Sequence, residues 1–240
     1  MYRYTGHLFK VAVLSLLCAT VVLSPQISDA AVKKGSAKRS VQRRAAPKKA
    51  VAKKTAPAPK AAPAVSQYRK DPYVGALAID AKTGRVLFAD GAGAIARPAS
   101  VTKLMTALLV LEDVKAGRYR MDSMVPAGPM ALRMEPSIIG FLDLKTRTPV
   151  SWSVDTLLYA LMIRSANDAA VALAEHSAGT MEKFVARMSS KAKSLGMDKT
   201  VYYNPNGLPP NSAKRYPWKS FNVTTCYDQA KLAREILNNH

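Results

Sequence analysis

Cysteine is almost absent from this chain: Cys18 and Cys226 are the two among 240 residues. Cys18 lies in the apolar stretch near the N-terminus, directly after Leu16-Leu17, and a bulky residue just before it argues against lipid attachment. Removal of that stretch would leave Cys226 as the single thiol, so the fold must rest on packing rather than on a disulfide. Histidine is also scarce, at three residues. His176 lies inside the globular part at the end of a predicted helix and His240 is the last residue given, so a Ser-His-Asp triad is hard to assemble and His176 is read as structural or exposed. No apolar run spans a bilayer comfortably, because Val11 to Leu23 is short of the roughly 20 residues a transmembrane helix needs. Acidic residues number 16 against 36 basic ones, for a formal net charge of +20. Such a balance favours anionic partners.

The basic residues are unevenly placed. Arg3, His7 and Lys10 precede the apolar run, which ends before Ser28-Asp29-Ala30, a small-x-small cleavage pattern. Residues 1–30 are therefore predicted to be a secretory signal peptide, cut after Ala30, that exports the chain to the periplasm or cell envelope. An uncleaved anchor is the alternative. Residues 31–70 form a low-complexity Ala/Pro/Lys segment with thirteen Lys or Arg and no acidic residue. Its composition predicts an extended basic linker without a core of its own. A lysine-rich tail invites a nucleic-acid reading, but the leader takes the chain out of that compartment, so none is expected. Anionic envelope polymers or a membrane surface are the expected counter-charges, and a spacer without a defined partner is the bland reading.

From 71 to 240 the chain reads as one globular domain with 21 basic and 15 acidic residues. Val74 to Asp80 and Arg85 to Ala89 flank Ala81-Lys82-Thr83-Gly84 as a β-hairpin. Helices follow over 99–115, 154–163 with Ser153 as cap, 168–176 before Gly179, 181–195 before Gly196, and from Thr225 to the C-terminus.

Two short motifs sit on this frame. Ser100-Val101-Thr102-Lys103 opens the first helix, and the three-residue spacing puts hydroxyl and amine on one face. Lys103 is the one charged residue between Ala99 and Leu111, in a stretch too apolar to leave much solvent-facing surface. Desolvation lowers a lysine's pKa, which is what a neutral general base requires; snorkelling out of the first turn is the alternative. Ser165-Ala166-Asn167 falls in the turn between two later helices, where short polar side chains can project into a cleft. Each pattern recurs, as Ser190 with Lys193 and as Ser220 with Asn222. The Ser190 pair lies on a charged amphipathic helix whose buried face reads Phe184, Met188, Ala192 and Leu195, so it is assigned to solvent.

Taken in order, these stretches resemble the serine D-alanyl-D-alanine carboxypeptidases, the low-molecular-mass penicillin-binding proteins of peptidase family S11. The resemblance runs from about Tyr73 to Asn238 through Ala78 to Leu87, Arg97 to Thr106, Ser165 to Ala170, Leu195-Gly196-Met197 and Asn204-Pro205-Asn206-Gly207-Leu208. It implies that Ser100 is the nucleophile, Lys103 its base, Ser165 a proton relay to the leaving amine, and Asn167 a binder of substrate backbone. It implies no cofactor or metal. The substrate would be a peptidoglycan stem peptide ending in D-Ala-D-Ala, with β-lactam antibiotics as covalent inhibitors. The expected fold is α+β, β-lactamase/D,D-peptidase-like, an antiparallel sheet with flanking helices.

The family also carries a Lys-Thr-Gly on a cleft strand well after the Ser-x-Asn. Here Lys82-Thr83-Gly84 precedes the nucleophile and reads as a turn. The third motif and the last strands are expected beyond His240, missing from this chain. The first reading is therefore a D,D-carboxypeptidase acting through an acyl-enzyme on Ser100. A truncated, catalytically weak penicillin-binding relative acting as an envelope-binding module is the second. A serine β-lactamase is the third, and it is disfavoured because Glu175, Glu182 and Glu235, the glutamates after Ser165, all lie on predicted helices rather than in a loop.

Overall fold

The computed structural model describes residues 73–135, 137–210 and 219–240. The expected leader over 1–30 and linker over 31–70 lie outside the described residues.

A helix that is apolar on every side must be wrapped by its neighbours. Helix α1 (Lys103–Lys115) meets that condition, with every residue from Lys103 to Val110 buried. Helices α2 (Val154–Ile163), α3 (Asn167–Ala178), α4 (Met181–Ser194) and α5 (Cys226–Asn239) all pack against it. Small side chains let α3 approach closely: Ala169, Ala170, Ala172 and Ala174 are all buried. By contrast α4 is amphipathic, turning Phe184, Met188 and Ala192 inward and leaving Ser190 and Lys193 exposed.

Local chemistry sets the helix boundaries. Ser153 Oγ accepts the Thr156 N–H at 3.1 Å at the start of α2. Thr180 caps α4 and Thr225 caps α5 through the same hydroxyl-to-amide contact. Each such cap stabilises its helix by about 1 kcal/mol. Gly179 ends α3 at φ 78, a conformation that costs glycine little.

The expected hairpin is present as β1 (Ala76–Ile79) paired antiparallel with β2 (Val86–Asp90). Asp80 shapes its turn, accepting from both the backbone N–H and the hydroxyl of Thr83 at 2.6 Å. Lys82-Thr83-Gly84 is thus a turn, as its sequence suggests. Arg234 of α5 closes over it, donating to the carbonyls of Ala81 and Lys82. An apolar groove of about 660 Å³ runs between β1 and α5, with Leu77, Ile79, Ala233 and Leu237 on its walls.

Two features were not anticipated. A second antiparallel pair joins β3 (Met124–Pro126) to β4 (Ser151–Ser153) across a long connection. Three residues a side, one of them proline, carry too little alternation to be read from sequence. Residues 99–102 form a 3-10 turn ahead of α1 rather than its first α-helical turn, with Ala99 at φ 45. The result is an α+β domain in which short strands flank a helical core.

Candidate active site

Ser100 lies in the 3-10 turn at the N-terminal end of α1, where aligned peptide dipoles present positive potential. Lys103 begins α1 one turn later and its side chain folds back along the same face. Its Nζ lies 3.0 Å from Ser100 Oγ and donates at 2.9 Å to the carbonyl oxygen of Asn206. The residue is fully buried, at 0% exposure, which removes the snorkelling alternative. Burial alone lowers its pKa from 10.5 to about 7. At neutral pH a substantial share of this amine is therefore unprotonated, aimed at a hydroxyl, and competent to take its proton.

The second motif reaches Ser100 from the opposite side. Ser165 Oγ donates to Ser100 Oγ at 2.8 Å. It can do so because Ser165 sits at φ 57 in the turn between α2 and α3, a left-handed conformation uncommon outside glycine. Neighbouring bonds hold that turn. Ser137 Oγ donates to the Arg164 carbonyl at 2.6 Å, and the Asn167 N–H donates to the Ser137 carbonyl at 2.7 Å. Asn167 is the first residue of α3 and is buried. Its neighbour Asp168 accepts from the N–H groups of Ile139 at 3.0 Å and Gly140 at 2.8 Å, tying the 137–140 segment to the helix. Burial pushes the Asp168 carboxyl up, against those same amides, which favour its charged form.

Ser100, Lys103 and Ser165 thus form one hydrogen-bonded row, built from residues 65 positions apart in the chain. Such a row can move a proton from an attacking hydroxyl to an amine and deliver one to a leaving group. His176 is no part of it: it is exposed near the end of α3 and meets Tyr119 in a tilted contact, ring centroids 4.8 Å apart and planes at 59°. Glu175, Glu182 and Glu235 lie on α3, α4 and α5, as expected.

Sequence reasoning missed the loop over 204–208 as a wall of this site. The backbone carbonyls of Asn206 and Pro205 accept from Lys103 Nζ and from Thr106 Oγ1, the latter at 2.7 Å. Gly207 presses on the turn that carries Ser100: a Cβ there would lie 1.8 Å from the Ala99 carbonyl oxygen. The Asn-Pro-Asn-Gly run signals a turn, but a carbonyl acceptor has no side-chain signature.

The profile of peptidase S11, D-alanyl-D-alanine carboxypeptidase, matches residues 69–240. The chain belongs to this family. Within the S11 family it is 35% identical over 162 residues to D-alanyl-D-alanine carboxypeptidase DacF of Bacillus subtilis, a match covering 68% of this chain and 38% of that protein. A D-alanyl-D-alanine endopeptidase of Pseudomonas aeruginosa is 35% identical over 65% of this chain and 45% of its own length. Among solved structures, D-alanyl-D-alanine carboxypeptidase DacD from Francisella tularensis aligns with a TM-score of 0.60 at 32% identity, covering 68% of this chain and 36% of that one. The domain therefore has the D,D-peptidase fold of the S11 family, and the chain spans less than half the length of these relatives.

Proposed function

We propose that this chain is the nucleophile-bearing part of a serine D,D-carboxypeptidase that removes the terminal D-Ala from peptidoglycan stem peptides. The observation that carries this reading is the buried Lys103 amine 3.0 Å from Ser100 Oγ, in an S11 chain. In this scheme Ser100 Oγ attacks the carbonyl carbon of the penultimate D-Ala while its proton passes to Lys103 Nζ. The C–N bond then breaks, and Ser165 relays a proton to the departing D-Ala amine. Water, deprotonated in turn by Lys103, attacks the ester and frees Ser100. Asn167 holds the substrate backbone beside Ser165. Positive potential at the start of α1 supports the oxyanion. β-Lactams would enter by the same attack and remain as the acyl-enzyme.

The basic start, apolar run and Ser28-Asp29-Ala30 pattern of residues 1–30 support a substrate outside the cytoplasm, where stem peptides lie. Residues 1–30 act as the leader, and the basic 31–70 segment holds the exported domain near anionic envelope polymers or the membrane surface.

The test is intact-mass analysis after incubation with a labelled penicillin, together with D-Ala release from a diacetyl-Lys-D-Ala-D-Ala peptide. One covalent penicilloyl adduct on Ser100 and release of D-Ala support the reading. Ser100→Ala should abolish the adduct, and Lys103→Ala should slow its formation by roughly 10²–10⁴, the usual reach of a general base. Rapid turnover of the penicillin with no persistent adduct would instead mark a β-lactamase. Envelope binding without any adduct would mark a binding module.

A further inference from the structure

The second Ser-x-Asn, Ser220-Phe221-Asn222, is not idle. Asn222 is 3% exposed, and its amide faces two parts of the site at once. Its Nδ2 donates to Thr102 Oγ1 at 3.0 Å and to the Asn204 carbonyl at 3.0 Å. Its Oδ1 accepts from the backbone N–H groups of Tyr203 at 2.7 Å and Asn204 at 3.2 Å. Thr102 immediately precedes Lys103, whereas Asn204 opens the loop whose Asn206 carbonyl accepts from Lys103 Nζ. Asn204 continues the chain of contacts, because its Oδ1 accepts from Gly207 N–H at 2.6 Å and Asn206 N–H at 3.3 Å. Each donor and acceptor of the Asn222 amide is thereby used, in a place where an unmet polar group is costly.

We infer that Asn222 is a positioning residue for Lys103: it brackets the helix turn that carries the amine to the loop that carries its acceptor. The inference rests on the reading of Lys103 as the base, although the bracket itself is a statement about the amine's surroundings. Without it the Asn206 carbonyl is free to drift from Nζ. Two effects follow. The amine loses its aim at Ser100, and its ammonium form loses a hydrogen-bond acceptor, so its titration moves to lower pH. Burial drives the existing lowering, and the Asn206 carbonyl, 2.9 Å from Nζ, is the acceptor that favours the charged form against it.

The experiment follows Lys103 directly, by NMR titration of the full chain labelled with ¹³Cε-lysine, its resonance assigned by its absence from Lys103→Met. The parent should titrate near 7. Asn222→Leu fills the volume without the amide and should lower the midpoint by about one pH unit. It should also slow penicillin acylation at saturating pH by roughly tenfold. Thr102→Val cuts the bracket at its helix end while conserving shape, and should move the midpoint the same way by a smaller amount; it decides the matter alone if Asn222→Leu does not fold. An unchanged midpoint in a Thr102→Val protein of parental melting temperature overturns the inference, as does a rise in either variant. A shifted midpoint with no acylation of any protein keeps the bracket and removes the catalytic reading instead.

Discussion

A lysine that begins a helix ordinarily reaches water through its four-carbon stem, and Lys103 does not. Its amine is enclosed by α1, the Ser100 turn and the Asn206 carbonyl, so the protein must meet the cost of a buried cation or give up the proton. The sign of the resulting pH dependence is fixed. In the unfolded chain the amine holds its proton up to about 10.5, and in the folded chain only up to about 7. Below 7 both states are protonated and the folded state carries the full cost; between 7 and 10.5 the unfolded state binds more protons, so stability rises with pH. Lys103→Met removes the titration. The variant should be more stable than the parent at pH 6, with a gap that narrows by about 1.4 kcal/mol per pH unit across that interval. Chemical denaturation of both proteins at pH 6, 8 and 10 measures it, and a gap independent of pH would contradict the buried-amine picture.

At the scale of elements, two ion pairs join α1 to α4, Lys191 with Glu112 at 2.5 Å and Arg187 with Asp113, and the second is the more deeply buried. Asp113, near the end of α1, is buried and receives the guanidinium of Arg187 from α4 at 2.5 Å and 3.0 Å. Arg118, Tyr119 and Ser177 complete its shell. Burial alone would raise the Asp113 carboxyl, but the bonds from Arg187 and Ser177 outweigh it and hold it below the ordinary carboxylate value. Removing one partner of a buried pair strands the other charge, at a cost of about 3–5 kcal/mol when both are fully enclosed. Arg187 keeps 28% of its side chain exposed, so the expectation drops toward the lower figure. Asp113→Ala should destabilise the domain by about 2–3 kcal/mol in urea unfolding. A loss under about 0.5 kcal/mol would show that solvent already screens the pair.

At the scale of the whole molecule, charge is divided rather than spread. Residues 31–70 hold thirteen basic and no acidic residues, while 71–240 hold 21 basic and 15 acidic. The proposed attachment to the envelope should therefore come from the basic segment by net charge and fade as salt screens it. Sedimentation with peptidoglycan-teichoic acid preparations or anionic vesicles should fall steeply between 50 and about 300 mM salt, and deletion of 31–70 should abolish it while leaving penicillin acylation unchanged. Binding that resists salt, or acylation lost on deletion, would assign that segment a different role.

Much of the helical frame was legible in sequence because helix signals are local: apolar spacing at three and four residues, a hydroxyl cap, a terminating glycine. Ser153, Thr225, Gly179 and the all-apolar face of α1 state their roles within a few positions. The pairing of Ser100 with Lys103 was legible for the same reason, the two being one helical turn apart. The short pairing of Met124–Pro126 with Ser151–Ser153 was not, since three residues carry no usable period. Nor could sequence reveal that Ser165 would adopt a left-handed backbone to reach Ser100, or that a carbonyl 103 positions beyond Lys103 would receive its amine. By itself the chain determined which residues could do the chemistry. Only tertiary packing decided that Lys103 lies out of water and that Asn222 holds its acceptor in place, because dielectric and orientation belong to the surroundings of a side chain, and those come from segments distant in sequence.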